Sequence, residues 1–299
     1  MFDLLKSKLT PKLLLGALLS LALLVWATVF SFPHQRWQLV FCNVDQGDAI
    51  LLSRGSEQML IDGGPNENVL ACLGRHLPFY DRTIEMVALT HPEADHLTGL
   101  IAVLEKYQVE YFLSSPVGNQ SDAFSTLLEK IKKQSPMPKV INPYEGDKIK
   151  FDNLEIVVLW PEKHWLANQL TNCELSNCPL KERILGMSTE RKLNDFSLVF
   201  LLRWPKFTVL LMGDADSRVQ EEIMVDNNLP KVNLLKFPHH GSKTGLREDF
   251  LALIKPKEAV ISVGRNSYGH PTAEALELLD KYKVEIRRTD LEGDIEYIY

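Results

Sequence analysis

The sequence predicts an α/β domain, a mixed sheet system covered by helices, preceded by one apolar segment. Three observations carry this. Apolar runs of strand length cluster early in the chain and then alternate with helical patterns. The 299 residues are 45% hydrophobic and 24% charged, with only 16 Gly and 16 Pro, so the chain has ample material for a core and is neither collagen-like nor low-complexity. No residue from Leu13 to Phe32 carries a charge.

Taken in order, residues 1–12 read as a cytoplasmic tail, 13–32 as a transmembrane anchor and 37–299 as the folded domain. The run at 13–32 would span about 30 Å as a helix, one hydrocarbon core. Lys6, Lys8 and Lys12 precede it and only Arg36 closely follows, which places the N-terminus in the cytoplasm and the domain outside it. The rival reading is a cleaved signal peptide. Its apolar region would be shorter and end in small residues, whereas this run ends Phe30-Ser31-Phe32-Pro33.

Beyond the anchor, strands are expected at 37–42, 48–53, 58–61, 85–90, 109–113, 154–159, 196–203, 207–212, 232–237, 258–263 and 284–288. Helices are expected at 66–77, 98–107, 121–134, 216–226, 246–254 and 272–282. Residues 162–192 lack clean periodicity and read as an inserted surface loop. Four cysteines cannot form a disulfide scaffold. Outside the cytoplasm Cys173 and Cys178 are expected to bridge within that insertion. Cys42 and Cys72, in a strand and a helix, are expected to be buried and reduced. The net charge of −6 excludes a strongly basic nucleic-acid coat, though not a local basic groove.

The chemistry lies in polar clusters that directly follow expected strands. The densest is His91-Pro92-Glu93-Ala94-Asp95-His96. His, Glu, Asp and His at this density repel, protonate or bind metal. Pro92 argues for a loop that turns its side chains into one cavity. Gly213-Asp214 ends a second apolar strand and places a carboxylate at a sheet edge, where it can bridge two cations. Alone this is a common turn. Pro238-His239-His240-Gly241-Ser242 ends a third. Adjacent histidines at a strand terminus point apart, so one of the two is expected to ligate. Asn266-Ser267-Tyr268-Gly269-His270-Pro271 follows a fourth. His34, His76 and His164 have no such context.

His-x-Glu-x-Asp-His at 91–96, followed by Gly213-Asp214 and His239-His240-Gly241-Ser242, resembles the metallo-β-lactamase superfamily. The set is most similar to the extracytoplasmic C-terminal domain of the ComEC competence proteins and its free-standing relatives. Asn43-Val44-Asp45-Gln46-Gly47-Asp48-Ala49, Leu60-Ile61-Asp62-Gly63-Gly64-Pro65 and Tyr268-Gly269-His270-Pro271 resemble further motifs of that group, over residues 37–298.

The resemblance implies an αββα metallo-β-lactamase-like sandwich with two divalent ions at one edge of the paired sheets, Zn2+ or Mn2+, with Fe also compatible. His91 and Glu93 would hold the first ion, and Asp95 and His96 the second. Asp214 would bridge both, and His240, or else His239, would complete the second site. Asp48 and Asp62 would orient the ligand loop.

Three departures stand out. Asn43 and Asp45 replace the group's Asp and Gly, although Asp tolerates a positive φ better than most residues. Asn194 and Asp195, with Ser197 nearby, stand where the superfamily has a mid-chain histidine. Glu93 replaces a histidine and hardens the first site, leaving metal identity open.

The implied reaction is hydrolysis of a phosphodiester, DNA leading, by a hydroxide that the ions hold at neutral pH. Asp95, Asp214 and His270 would be the catalytic groups. Ser242, Lys243 and Asn266 would lie nearest the leaving oxygen. With one span the chain reads as a tethered nuclease rather than an importer, and no protein partner is inferable. The alternatives are a non-catalytic binding module on the same fold, or a di-iron oxidoreductase, which would need a flavin segment.

Overall fold

The computed structural model describes residues 11–31, 36–151, 153–170, 187–226 and 229–299, with side chains of 27–31 and 226 excepted. Fourteen strands appear among them: β1 (Gln38–Phe41), β2 (Ile50–Arg54), β3 (Glu57–Ile61), β4 (Thr83–Leu89), β5 (Gln108–Ser114), β6 (Lys139–Ile141), β7 (Lys148–Phe151), β8 (Leu154–Trp160), β9 (Val199–Trp204), β10 (Phe207–Leu211), β11 (Leu234–Lys236), β12 (Glu258–Ile261), β13 (Glu285–Arg288) and β14 (Ile295–Ile298). They form two seven-stranded sheets, β14-β1-β2-β3-β4-β5-β6 and β13-β12-β11-β10-β9-β8-β7. Each sheet is antiparallel on one side and parallel on the other. β3 to β6 run parallel in the first, and β10 to β13 in the second.

Side-chain alternation explains the layering. Leu39 and Phe41 of β1 join Met59, Ile156, Val158 and Phe200 in a core between the two sheets. Val40 and Cys42 point the other way, into a core beneath the helices Asn68–His76, Ala94–Lys106 and Asp122–Lys133. The second sheet buries its outer face under Ser217–Asp226, Glu248–Ile254 and Ala273–Lys281. The order of layers is therefore α, β, β, α, with period-2 strands feeding both an inner and an outer core.

Several expectations change. Helix Ala94–Lys106 starts four residues before the expected 98, because Glu93 is extended at its N-cap and Pro92 lies outside it. Asp95 and His96 thus sit on a helix's first turn, not in a loop. The insertion at 162–192 is not simply a surface loop. Lys163–Gln169 is helical, its Leu166 and Ala167 are buried, and Trp165 packs on Trp160 and Phe196. Cys42 and Cys72 are not reduced thiols but form a disulfide, with Cα atoms 5.9 Å apart. The pairing expected for Cys173 and Cys178 lies outside the described residues, as does His34.

The apolar run is helical over Pro11–Ser31. Its side chains are described through Trp26, so the described part covers about 24 Å at 1.5 Å per residue. Among the described residues no helix is long and apolar enough to cross a membrane.

Candidate metal centre

Every polar cluster emerges at the carboxyl end of a strand on the parallel side of its sheet. Asp62 follows β3, His91–His96 follow β4, Asp214 follows β10, His239 and His240 follow β11, and the 262–271 loop follows β12. Open α/β sheets place ligands at such ends. Here the two sheets bring their carboxyl ends to one edge.

Backbone geometry fixes the approach. Asp45 adopts φ 68°, the positive value its turn requires. A Cβ on Gly47 would meet the Asp95 carbonyl oxygen, so only glycine lets the opening loop close on that helix. Gly63 and Gly99 meet in the same way, and the Gly63 N–H donates to the His96 carbonyl at 2.7 Å. His239 and His240 both have φ 53°, a sparsely populated region for non-glycine residues and one that marks a constrained site.

Three imidazoles are aimed by their Nδ1 atoms. His96 Nδ1 donates to Asp62 Oδ2 at 2.8 Å, and His240 Nδ1 to the Ser262 carbonyl at 2.9 Å. His91 Nδ1 lies 3.1 Å from Thr90 Oγ1, which itself donates to Asp62. All three Nε2 atoms are left buried without a hydrogen-bond partner among the described residues. They surround Asp214 Oδ2, at 3.5 Å from His96, 3.5 Å from His240 and 4.0 Å from His91. Asp95 Oδ2 is 3.3 Å from His240 Nε2, and Glu93 Oε2 is 3.8 Å from His91 Nε2.

Asp95, His96, Asp214 and His240 offer four ligand atoms all within 4.8 Å of one another. Buried nitrogens without partners, facing carboxylates, are what a divalent cation would satisfy. The donor set fits such an ion. On the other side of Asp214, His91 and Glu93 supply two more donors.

Electrostatics agree. Burial disfavours ionisation of Asp95 and Asp214, yet the neighbouring imidazoliums of His96 and His240 hold both carboxyls below the usual range. Burial disfavours the imidazoliums in turn, but Asp214 and the surrounding carboxylates raise both His96 and His240.

The remaining sequence candidates fall in distinct places. Asp62 accepts from Thr90 N, Thr90 Oγ1 and His96 Nδ1, and so orients a ligand. Asp48 is buried 3.6 Å from His240 Nδ1. His239 lies outside the four-atom group, its ring 6.3 Å from that of His240 and 5.7 Å from that of His270. Burial, and after it the neighbouring His239 and His240, lower the pKa of His270. Lys243 pairs with Glu274 at the surface, and Ser242 lies 3.5 Å from Thr244. Asn266 is engaged within its own loop. Asn194 and Asp195 bring no ligand. Asp195 faces Arg218, and Ser197 Oγ accepts from the Asp214 N–H.

Sequence reasoning missed Lys236. Its side chain is fully buried in the middle strand between β10 and β12, with Nζ on Asp48, 3.8 Å from Asp214 Oδ1 and donating to the Gly213 carbonyl at 3.1 Å. A lysine inside the apolar run VNLLKF was the available signal, since lysine is almost never fully buried unless paired.

No family model matches the chain. Among curated proteins it is similar to ComE operon protein 3 of Bacillus subtilis, at 28% identity over 278 residues, 89% of this chain and 31% of that protein. It is also similar to Recombination protein 2 of Haemophilus influenzae, at 26% identity over 265 residues, 87% of this chain and 28% of that protein. Among solved structures, the metallo-beta-lactamase fold protein YhfI from Bacillus subtilis aligns with 88% of this chain and 100% of its own, at 13% identity and a TM-score of 0.52. This chain has the metallo-β-lactamase fold. Zn(2+)-bound PqqB from Methylobacterium extorquens shares the fold at 11% identity and a TM-score of 0.50, over 84% of this chain and 87% of that one. The chain spans about a third of the length of the curated relatives it matches.

Proposed function

We propose that this ComEC-like chain is a metal-dependent hydrolase that cleaves phosphodiesters, nucleic acid being the leading substrate. The observation that supports this most directly is the convergence of three partnerless Nε2 atoms on Asp214 Oδ2. Asp95, His96, Asp214 and His240 would hold one divalent ion. His91 and Glu93, sharing Asp214, would hold a second. When bound, such ions supply Lewis-acid polarisation of a phosphoryl oxygen and acidify water.

The chain's own residues do the rest. Asp62 and the Ser262 carbonyl fix two imidazoles with Nε2 inward. Lys236 holds Asp48 and the outer oxygen of Asp214, so that Oδ2 faces the histidines. His270, whose pKa is lowered, can hydrogen-bond a leaving oxygen through Nδ1, which has no partner among the described residues. Water adds to phosphorus as the scissile P–O bond breaks, and the proton given up by the water ends on the leaving oxygen.

The same proposal places the chain on a membrane through residues 13–32, with the domain on the extracytoplasmic side. A non-catalytic binding module is the second reading. It is favoured by Asn194, Asp195 and Ser197, which bring no ligand to the first site. The deciding experiment loads the purified chain with Mn2+ or Zn2+, measures bound metal, and follows cleavage of plasmid and single-stranded DNA. Metal-dependent cleavage that is lost, together with bound metal, in Asp214→Ala supports the hydrolase. Metal binding without cleavage supports the module.

A further inference from the structure

The 264–270 loop is braced from within. Asn266 Oδ1 accepts from the backbone N–H of Tyr268 and of His270, both at 3.0 Å. Its Nδ2 donates to the carbonyls of Gly264 at 2.9 Å and His270 at 2.8 Å. Gly264 N–H also donates to Gln46 of the opening loop at 3.3 Å. One amide therefore uses both its oxygen and its nitrogen to fix the loop. The fixed loop holds the ring of Tyr268 in solvent, 74% exposed. A large aromatic ring on a rigid loop gains nothing for folding from such a position.

Its neighbours run inward. The Tyr268 ring lies 5.8 Å from that of His270, tilted by 31°. His270 lies 5.7 Å from His239, and His239 is adjacent in sequence to the ligand His240. The Nδ1 atoms of His239 and His270 are buried and have no hydrogen-bond partner among the described residues. Arg265, on the same loop, is exposed and makes no ion pair among the described residues. A ring platform and two partnerless imidazole nitrogens thus run in series toward the metal centre, and the loop that carries the platform also carries an unpaired guanidinium. That is the chemistry of a nucleotide: a base with a π-face, joined to anionic oxygens.

We propose that Tyr268 is the platform on which one unpaired nucleobase of a single-stranded nucleic acid stacks while the adjoining phosphodiester sits at the metal centre. The two imidazoles lie between the platform and the metal centre, where the nucleotide's backbone would run. This rests on the phosphodiesterase reading. It goes further in assigning the substrate's form, single-stranded with its base swung outward, and the residue that reads it. Because every base offers a π-face, the subsite accepts any of them.

The test uses the full chain, loaded with Mn2+, and two oligonucleotides of equal length, one normal and one with abasic residues throughout. Wild type should show a KM for the abasic strand raised by about 5- to 150-fold, the range for loss of one base–aromatic stack. Tyr268→Ala should raise KM for the normal strand by a similar factor and no longer distinguish the two strands. Tyr268→Phe should restore the distinction, which a loop that had merely unfolded would not do. Equal KM for wild type and Tyr268→Ala on the normal strand overturns the proposal, as does an equal loss by Tyr268→Ala on both strands. If wild type cleaves neither strand, fluorescence polarisation of a labelled strand separates the two ideas. Binding weakened by Tyr268→Ala upholds the platform while cleavage falls, and absence of binding overturns both.

Discussion

The Cys42–Cys72 disulfide offers a quantitative prediction. It closes a loop of 30 residues between the end of β1 and the helix Asn68–His76. A crosslink over that length removes enough unfolded-chain entropy to stabilise the fold by about 3–4 kcal/mol. The perturbation is the paired substitution Cys42→Ala and Cys72→Ala, since serine would bury a hydroxyl at two fully packed positions. With a urea m-value of roughly 3 kcal/mol/M, the unfolding midpoint should fall by about 1 M or slightly more, m itself changing little. The site should persist. The opening loop has a second anchor at the same place, where Asn43 N–H donates to Asp294 at 2.9 Å and Arg75 and His76 of the helix grip the same carboxylate. The variant should therefore bind metal as wild type does. Equal midpoints for wild type and the double variant would refute the reasoning. So would free thiols at Cys42 and Cys72 in protein isolated from the cell envelope without reductant.

Three more outcomes are expected. His240→Ala should weaken metal binding by more than about 100-fold, above the roughly 10- to 100-fold typical of residues that only orient a ligand, whereas His239→Ala should leave it nearly unchanged; equal metal contents in the two variants would show the assignment to be wrong. A reporter fused after Tyr299 should be active only outside the cytoplasm, and cytoplasmic activity would invert the topology. In chelator-treated protein the raised His96 and His240 contribute stability that is fully present below about pH 6.5 and is lost as pH rises through their higher folded values; metal competes for the same Nε2 atoms, so its affinity should rise with pH, and calorimetry in buffers of different ionisation enthalpy should register proton release on binding.

The sequence displayed the parts of the fold whose cause is local. β4 and β10 are apolar runs that stop at a polar cluster, and both were visible for that reason. β6, β7 and β14 were not. Each has three or four residues and partly exposed side chains, and each lies at or near a sheet edge. β14 pairs with β1 across almost the whole chain, Phe41 opposite Ile295, a partnership no local window contains. The start of helix Ala94–Lys106 was misread because a dense polar cluster looks like a loop, although its Asp95 and His96 need a helix's first turn to face the same way. The disulfide was hidden because its two cysteines lie in elements that each look complete alone. Lys236 was hidden by its apolar neighbours in β11.

The buried charges show why these pieces belong together. Four aspartates, Asp48, Asp62, Asp95 and Asp214, converge at one edge, and so many carboxylates would not be tolerated there unpaired. Asp62 is satisfied by three donors from Thr90 and His96, and Asp48 by Lys236. Asp95 and Asp214 remain, and they face His96 and His240, whose pKa values these carboxylates raise against the effect of burial. A divalent ion at this group would compete with protons for the two Nε2 atoms, so its positive charge would in part replace theirs. A second ion beside His91 would meet only the half-exposed Glu93 and a share of Asp214, leaving that side with excess positive charge. An anionic substrate is the kind of ligand that such an excess would favour.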